Sequence, residues 1–174
     1  MVRLLPHSNA FWKEANAMAV PKEFVHLVEK NADPLSKRWV EVVRSHEGTP
    51  TYHKYNESAL YAAALDVYCH LGKWLNEDMS KDEIKRIYTK YGAQKRADGF
   101  ALYEIIQAFI IYRRVLWFKV ESEGLLDSGG DLRQALDLSN YIIVFFDRAM
   151  FYASLGYDNG LVARKNRASS PIVS

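Results

Sequence analysis

Residues 91–120 read YGAQKRADGFALYEIIQAFIIYRRVLWFKV, and the reading of this stretch decides the fold. It spells the end of one helix, a turn at Asp98-Gly99-Phe100, and a second helix with few polar interruptions. A surface helix carries one apolar stripe about 100° wide or more, whereas this one is apolar around most of its circumference. Only Glu104, Gln107, Arg113, Arg114 and Lys119 break the run. Such a helix is expected to be wrapped by others, or to face a partner as well as its own core.

The segments on either side follow the same helical period. Tyr141–Phe146 (YIIVFF) alone would pass for a buried strand. Its flanks keep three-to-four spacing through Leu132, Leu136, Ile143, Phe146, Met150 and Ala153, too long a run for a strand. Asp131 is the expected cap of this helix, and Gly156 or Gly160 its expected end. Upstream, Ser80 and Glu83 form a capping box, and Ile84, Ile87, Tyr88 and Tyr91 follow on one face. Before that, a helix from Asn56 to Asn76 lines up Leu60, Ala64, Val67, Leu71 and Trp74.

Nearer the N-terminus two shorter helices are expected. The first opens at Pro21, carries Phe24, Leu27 and Val28, and closes at Asn31-Ala32. The second opens with Asp33 as N-cap and Pro34 in the first turn. It carries Leu35, Trp39, Val42 and Val43 until Gly48, Thr49 and Pro50 stop it. A further short helix is expected from Ser8 to Met18. The chain therefore predicts an all-α fold, a single bundle of about six helices with no sheet. Residues 1–20 form an N-terminal extension, 21–160 the bundle, and 161–174 a flexible basic, Ser/Pro-rich tail.

Composition narrows the function classes. The chain is 49% hydrophobic and 25% charged, which is ordinary for a globular domain, and 174 residues can bury a sizeable core. A net charge of +2 supplies no basic footprint for nucleic acid or an anionic membrane, and neither partner is expected. The single cysteine, Cys69, rules out an intrachain disulfide framework and suits a reducing cytoplasm. No signal-peptide core of about 7–15 apolar residues opens the chain. No apolar run approaches the roughly 18 residues of a membrane span. Cytoplasmic localisation is the expectation.

The chemistry-bearing residues are sparse. Glu23 and His26 spell one Glu-x-x-His pair, but a di-iron bundle needs a second pair and two more carboxylates. No metal or cofactor is therefore expected, and a helical-bundle metalloenzyme ranks last among the readings. Cys69 and His70 are adjacent on a helix and point about 100° apart, so they make no nucleophilic pair; Cys69 is expected to be a small buried residue. Gly129-Gly130 lacks the strand, lysine and hydroxyl of a phosphate loop. A helix-turn-helix reading of Ala97–Phe100 fails because the second helix spends nearly every position on burial. Arg113 and Arg114 interrupt the most apolar helix, and the plainest expectation is a pairing with Glu104, Glu121 or an acid on the last helix. If the bundle encloses a small anionic ligand instead, the expected site is Arg96, Tyr103, Arg113, Arg114 and Trp117.

The order of several motifs carries a resemblance. LVEKN at 27–31, KRWVEVVR at 37–44 and GTPTY at 48–52 resemble the opening of the N-terminal input domain of RsbRD-type RsbT co-antagonists. Tyr91-Gly92, then KRADGFALYEI at 95–105 and YRRVLW at 112–117, resemble that family's central signature. Together they span roughly residues 22–158. The resemblance implies a non-enzymatic, all-helical regulatory input domain related to non-haem globin-like sensors. Such input domains are usually fused to an output module, an anti-sigma-antagonist (STAS) domain, a DNA-binding regulator or a histidine kinase; here the expected output is a separate STAS, kinase or sigma-factor regulatory protein. In haem-binding relatives of that fold a histidine precedes the glycine of the turn; Lys95 stands there in this chain, so haem is not expected. Too few residues follow Gly160 for an output module, so either the sequence is a fragment or the domain is free-standing, its signal expected to pass through a separate partner or through self-association. A homodimer is expected, with Phe109, Tyr112, Phe118, Phe145 and Phe146 as its dimer or partner face. Sensing of a small molecule inside the bundle is the alternative.

Overall fold

In the computed structural model, residues 22–123 and 132–168 are described. They form six helices: α1 (Lys22–Ser45), α2 (Pro50–His53), α3 (Glu57–Leu75), α4 (Lys81–Ala97), α5 (Leu102–Ser122) and α6 (Leu132–Ala168). No strand occurs among the described residues. The all-α reading holds, including a helix through YIIVFF. The short helix expected at 8–18 and the cap expected at Asp131 lie outside the described residues.

Two helix pairs, α1 with α3 and α4 with α6, flank α5, which touches α1, α4 and α6. The inner arc of α5 buries Ile105, Ala108, Phe109, Ile111, Tyr112, Val115, Leu116 and Val120. Trp39 of α1 stacks on Tyr112 with centroids 4.1 Å apart, and its indole N–H donates to the Ala108 carbonyl at 3.1 Å. These contacts fix α5 against α1. An aromatic pair of this kind adds about 1 kcal/mol beyond the area it buries.

Where two N-terminal helices are expected, α1 is one helix of 24 residues with Pro34 inside it. Phe24, Val28, Leu35, Trp39 and Val43 keep one buried stripe in phase across the proline. Burying that stripe outweighs the roughly 3 kcal/mol cost of an interior proline. Asp33 is consequently no cap. Its carboxylate takes Lys37 at 2.9 Å and the Tyr61 hydroxyl at 2.6 Å, tying α1 to α3. Pro50, expected only as a stop, instead opens the short α2.

α6 likewise runs past both glycines expected to end it, on to Ala168. The reason is packing. A Cβ on Gly156 would lie 1.9 Å from the Thr89 carbonyl oxygen of α4, and one on Gly92 would lie 1.8 Å from that of Ala153. The two backbones touch at a reciprocal pair of glycines, so Gly156 serves close approach rather than termination. Cys69 also departs from expectation: it is exposed on the outer side of α3.

Candidate functional site

The α4–α5 turn builds the most unusual environment in the protein. Gly99 has φ +87°, the left-handed geometry that glycine adopts without strain. The Gly99 N–H donates to Arg96 O and the Phe100 N–H to Lys95 O, both at 3.0 Å, which is a Schellman closure of α4. That closure normally brings an apolar residue after the glycine against an apolar residue in the last turn of the helix. Here the two are Phe100 and Lys95.

Lys95 is consequently folded inside, with 7% of its surface exposed. Its ammonium sits 4.2 Å from the Phe100 centroid, 4.9 Å from Tyr55, 5.4 Å from Tyr52 and 5.6 Å from Tyr91. It forms no ion pair with any described residue. Burial pushes its pKa from 10.5 down to about 8, against a smaller opposing pull from Asp98. Burial also drives Tyr91 up to about 12 and Tyr52 well above 10.0. The rim is polar: the Tyr55 hydroxyl donates to Asp98 at 3.2 Å, and Gln94 donates to the other Asp98 oxygen at 2.8 Å.

The second buried charge is Glu104, 1% exposed, one turn into α5. Its carboxylate accepts from the Thr51 N–H at 2.7 Å, the Thr51 hydroxyl at 2.9 Å and the Ala101 N–H at 2.9 Å. Glu104 thus caps its own helix and the first turn of α2 together, where both helix dipoles favour an anion. Ala101, at the N-cap, has no side chain to reciprocate. The pair Lys95 and Glu104 therefore frames α2 from both sides.

The residues expected to bind a ligand do not converge. Arg96 lies over the Tyr157 ring at 4.7 Å, Tyr103 and Arg114 are exposed, and Trp117 is half-buried against the core. Arg113 pairs with Asp147 at 3.8 Å, an acid on the last helix. None of them lines the open groove of about 1030 Å³ between α1 and α3, whose walls include Lys37, Arg44, Glu57 and Tyr61. Four of the five residues expected on a partner face are interior. Phe109, Tyr112, Phe145 and Phe146 are fully buried in the chain's own core and unavailable to a partner; Phe118 alone is exposed.

Besides Tyr103 and Phe118 of α5, the exposed large apolar side chains among the described residues lie on the outer side of α6. Leu136, Ile143, Phe151 and Leu155 are open to solvent there, with Leu136 61% and Phe151 58% exposed. The Arg113–Asp147 contact ties this side of α6 to α5. At 100° per residue, Ile106, Ile110 and Trp117 lie within about 60° of Arg113 around α5, so they continue the same side. The sequence offers little sign that Lys95 is buried or that these side chains of α6 are exposed. Among the described residues no three His, Cys, Asp or Glu side chains are grouped to hold a metal ion, and no helix is long and apolar enough to cross a membrane.

No protein-family model, curated protein or solved structure matches the chain.

Proposed function

We propose that the chain is a non-enzymatic regulatory input domain that acts through protein contacts and pairs with a second copy of itself. The observation that carries this reading is the outer side of α5 and α6. Leu136, Ile143 and Phe151 are exposed there around the Arg113–Asp147 pair. Contiguous exposed apolar surface of this kind usually marks an interface. A two-fold pairing presents the same patch from both copies. The ordered motifs between residues 27 and 117 support the regulatory part of the reading through their resemblance to RsbRD-type input domains. On that reading the output is a separate STAS, kinase or sigma-factor regulatory protein in the cytoplasm.

Light scattering at micromolar concentration tests the pairing. Twice the 20.0 kDa chain mass is expected. The double variant Ile143→Asp, Phe151→Asp is expected to be folded and monomeric. A wild-type chain that stays monomeric would sink the homodimer. Affinity capture with mass spectrometry tests the output: recovery of an STAS protein, kinase or sigma-factor regulator is expected, and recovery only of metabolic enzymes counts against the regulatory role.

A further inference from the structure

We propose that Lys95 is a covalent capture site for small neutral aldehydes, holding them as an imine inside the box of Tyr52, Tyr55, Tyr91 and Phe100. The amine is nine-tenths buried, sits 4.2–5.6 Å from four ring centroids, and pairs with no described carboxylate. A lysine desolvated among apolar groups keeps a reactive lone pair near neutral pH, which is how amine nucleophiles are activated. Its lowered pKa of about 8 agrees with that setting.

The step balances without a further reactant. The Nζ lone pair attacks the carbonyl carbon, and the carbonyl oxygen takes the proton that the nitrogen gives up. The proton that the ammonium first gave to solvent returns to the carbinolamine hydroxyl, which leaves as water as the C=N bond forms. Ammonium and carbonyl together thus give a protonated imine and water. A protonated imine keeps the positive charge that ring faces favour. Carbon dioxide would instead leave a carbamate anion against those faces, close to the acid at Asp98 whose charge already reaches Lys95. The assignment is independent of whether the chain pairs with itself.

The test treats the full chain with limiting acetaldehyde and sodium cyanoborohydride at pH 7, and follows ethylation of each lysine by peptide mass spectrometry. A group near 8 holds roughly a hundredfold more free amine at this pH than an ordinary lysine near 10.4. Lower nucleophilicity and hindered entry cut that gain by a factor of about ten. Lys95 is therefore expected to react at least tenfold faster than the median of the other lysines, and the preference is expected to vanish in guanidinium. A smaller preference overturns the proposal, as does one that persists in the unfolded chain. Lys95→Arg is expected to fold normally by circular dichroism and to lose the fast phase. A carbamate at Lys95 in carbon-13 spectra with labelled bicarbonate would overturn the selectivity for aldehydes.

Discussion

At the junction of α2, α4 and α5 a lysine and a glutamate lie inside the protein, while on the outer side of α6 leucine, isoleucine and phenylalanine lie outside it. Both regions invert the usual polarity rule, and the protein answers them differently. Glu104 is answered from within, by three short hydrogen bonds and two helix N-termini. Lys95 is answered in part, by rings that attract its charge without replacing its water. The α6 side chains are not answered by anything in the described chain. A buried charge left in place by its own neighbours is structural; a side chain left without complement points to something outside. That contrast separates Glu104, which holds the fold, from Lys95 and the α6 face, which are available to act.

The largest effect is expected at the internally satisfied end. Glu104→Ala removes the acceptor for three donors on two helices, and about 3 kcal/mol of stability is expected to go with it. The urea midpoint should fall with an unchanged m-value. Glu104→Gln keeps one carbonyl acceptor and should cost about half as much. Equal, small losses in both variants would place Glu104 with ordinary surface caps and erase the contrast.

Lys95→Met is expected to act in the opposite direction. The folded pKa is depressed from 10.5 to about 8, so the native protein carries a penalty for the ammonium that is present in full below pH 8. Between pH 8 and 10.5 the unfolded chain binds the proton that the folded chain has lost. Wild-type stability therefore rises with pH relative to the variant. The shift corresponds to about 3 kcal/mol, of which the ring faces return a part. Near pH 7 Lys95→Met should be about 1–2 kcal/mol more stable than wild type, and near pH 10.5 the difference should close. Using the difference between the two chains cancels the titration of Tyr52 and Tyr91, which both carry. A destabilised variant at pH 7 would mean that the rings outweigh burial.

The outer face should barely register in stability. Ile143→Asp, Phe151→Asp changes exposed side chains, and such sites usually lie within about 0.5 kcal/mol of wild type. Its effect should appear in mass, by light scattering, and in a stability that no longer depends on protein concentration. A loss above about 2 kcal/mol in dilute protein would mean that these side chains belong to the core.

What was readable in advance follows from range. The Asn56 and Asn76 ends of α3, the Ser80–Glu83 box and the Gly99 turn are written in a few neighbouring residues, and all are present. Pro34 inside α1 and Gly156 inside α6 are local stop signals that distant packing overrides. The burial of Phe109, Tyr112, Phe145 and Phe146 is illegible for a related reason: periodicity shows that a helix is apolar all round without showing which side its own chain covers. Lys95 sits in the basic segment Lys95-Arg96 and reads as a surface charge. Its one local signal is the spacing to Gly99 and Phe100, which sets a lysine where the helix closure wants an apolar contact.

The smallest expected effect probes the same contrast at its seam. Arg113 and Asp147 meet at 3.8 Å, with the side chains 33% and 50% exposed. In an isolated copy such a pair contributes about 0.3 kcal/mol, so Arg113→Ala should be nearly silent, and a double-mutant cycle with Asp147→Ala should give coupling of that size. If a second copy covers this side of α5 and α6, water is excluded from the pair and screening falls. The coupling should then rise above about 1 kcal/mol as protein concentration crosses the pairing range. Coupling that stays at a few tenths at every concentration would mean that the face pairs elsewhere, or remains open. Because the cycle reads an interaction rather than a mass, it separates a dimer seated on this patch from one formed by any other surface of the chain.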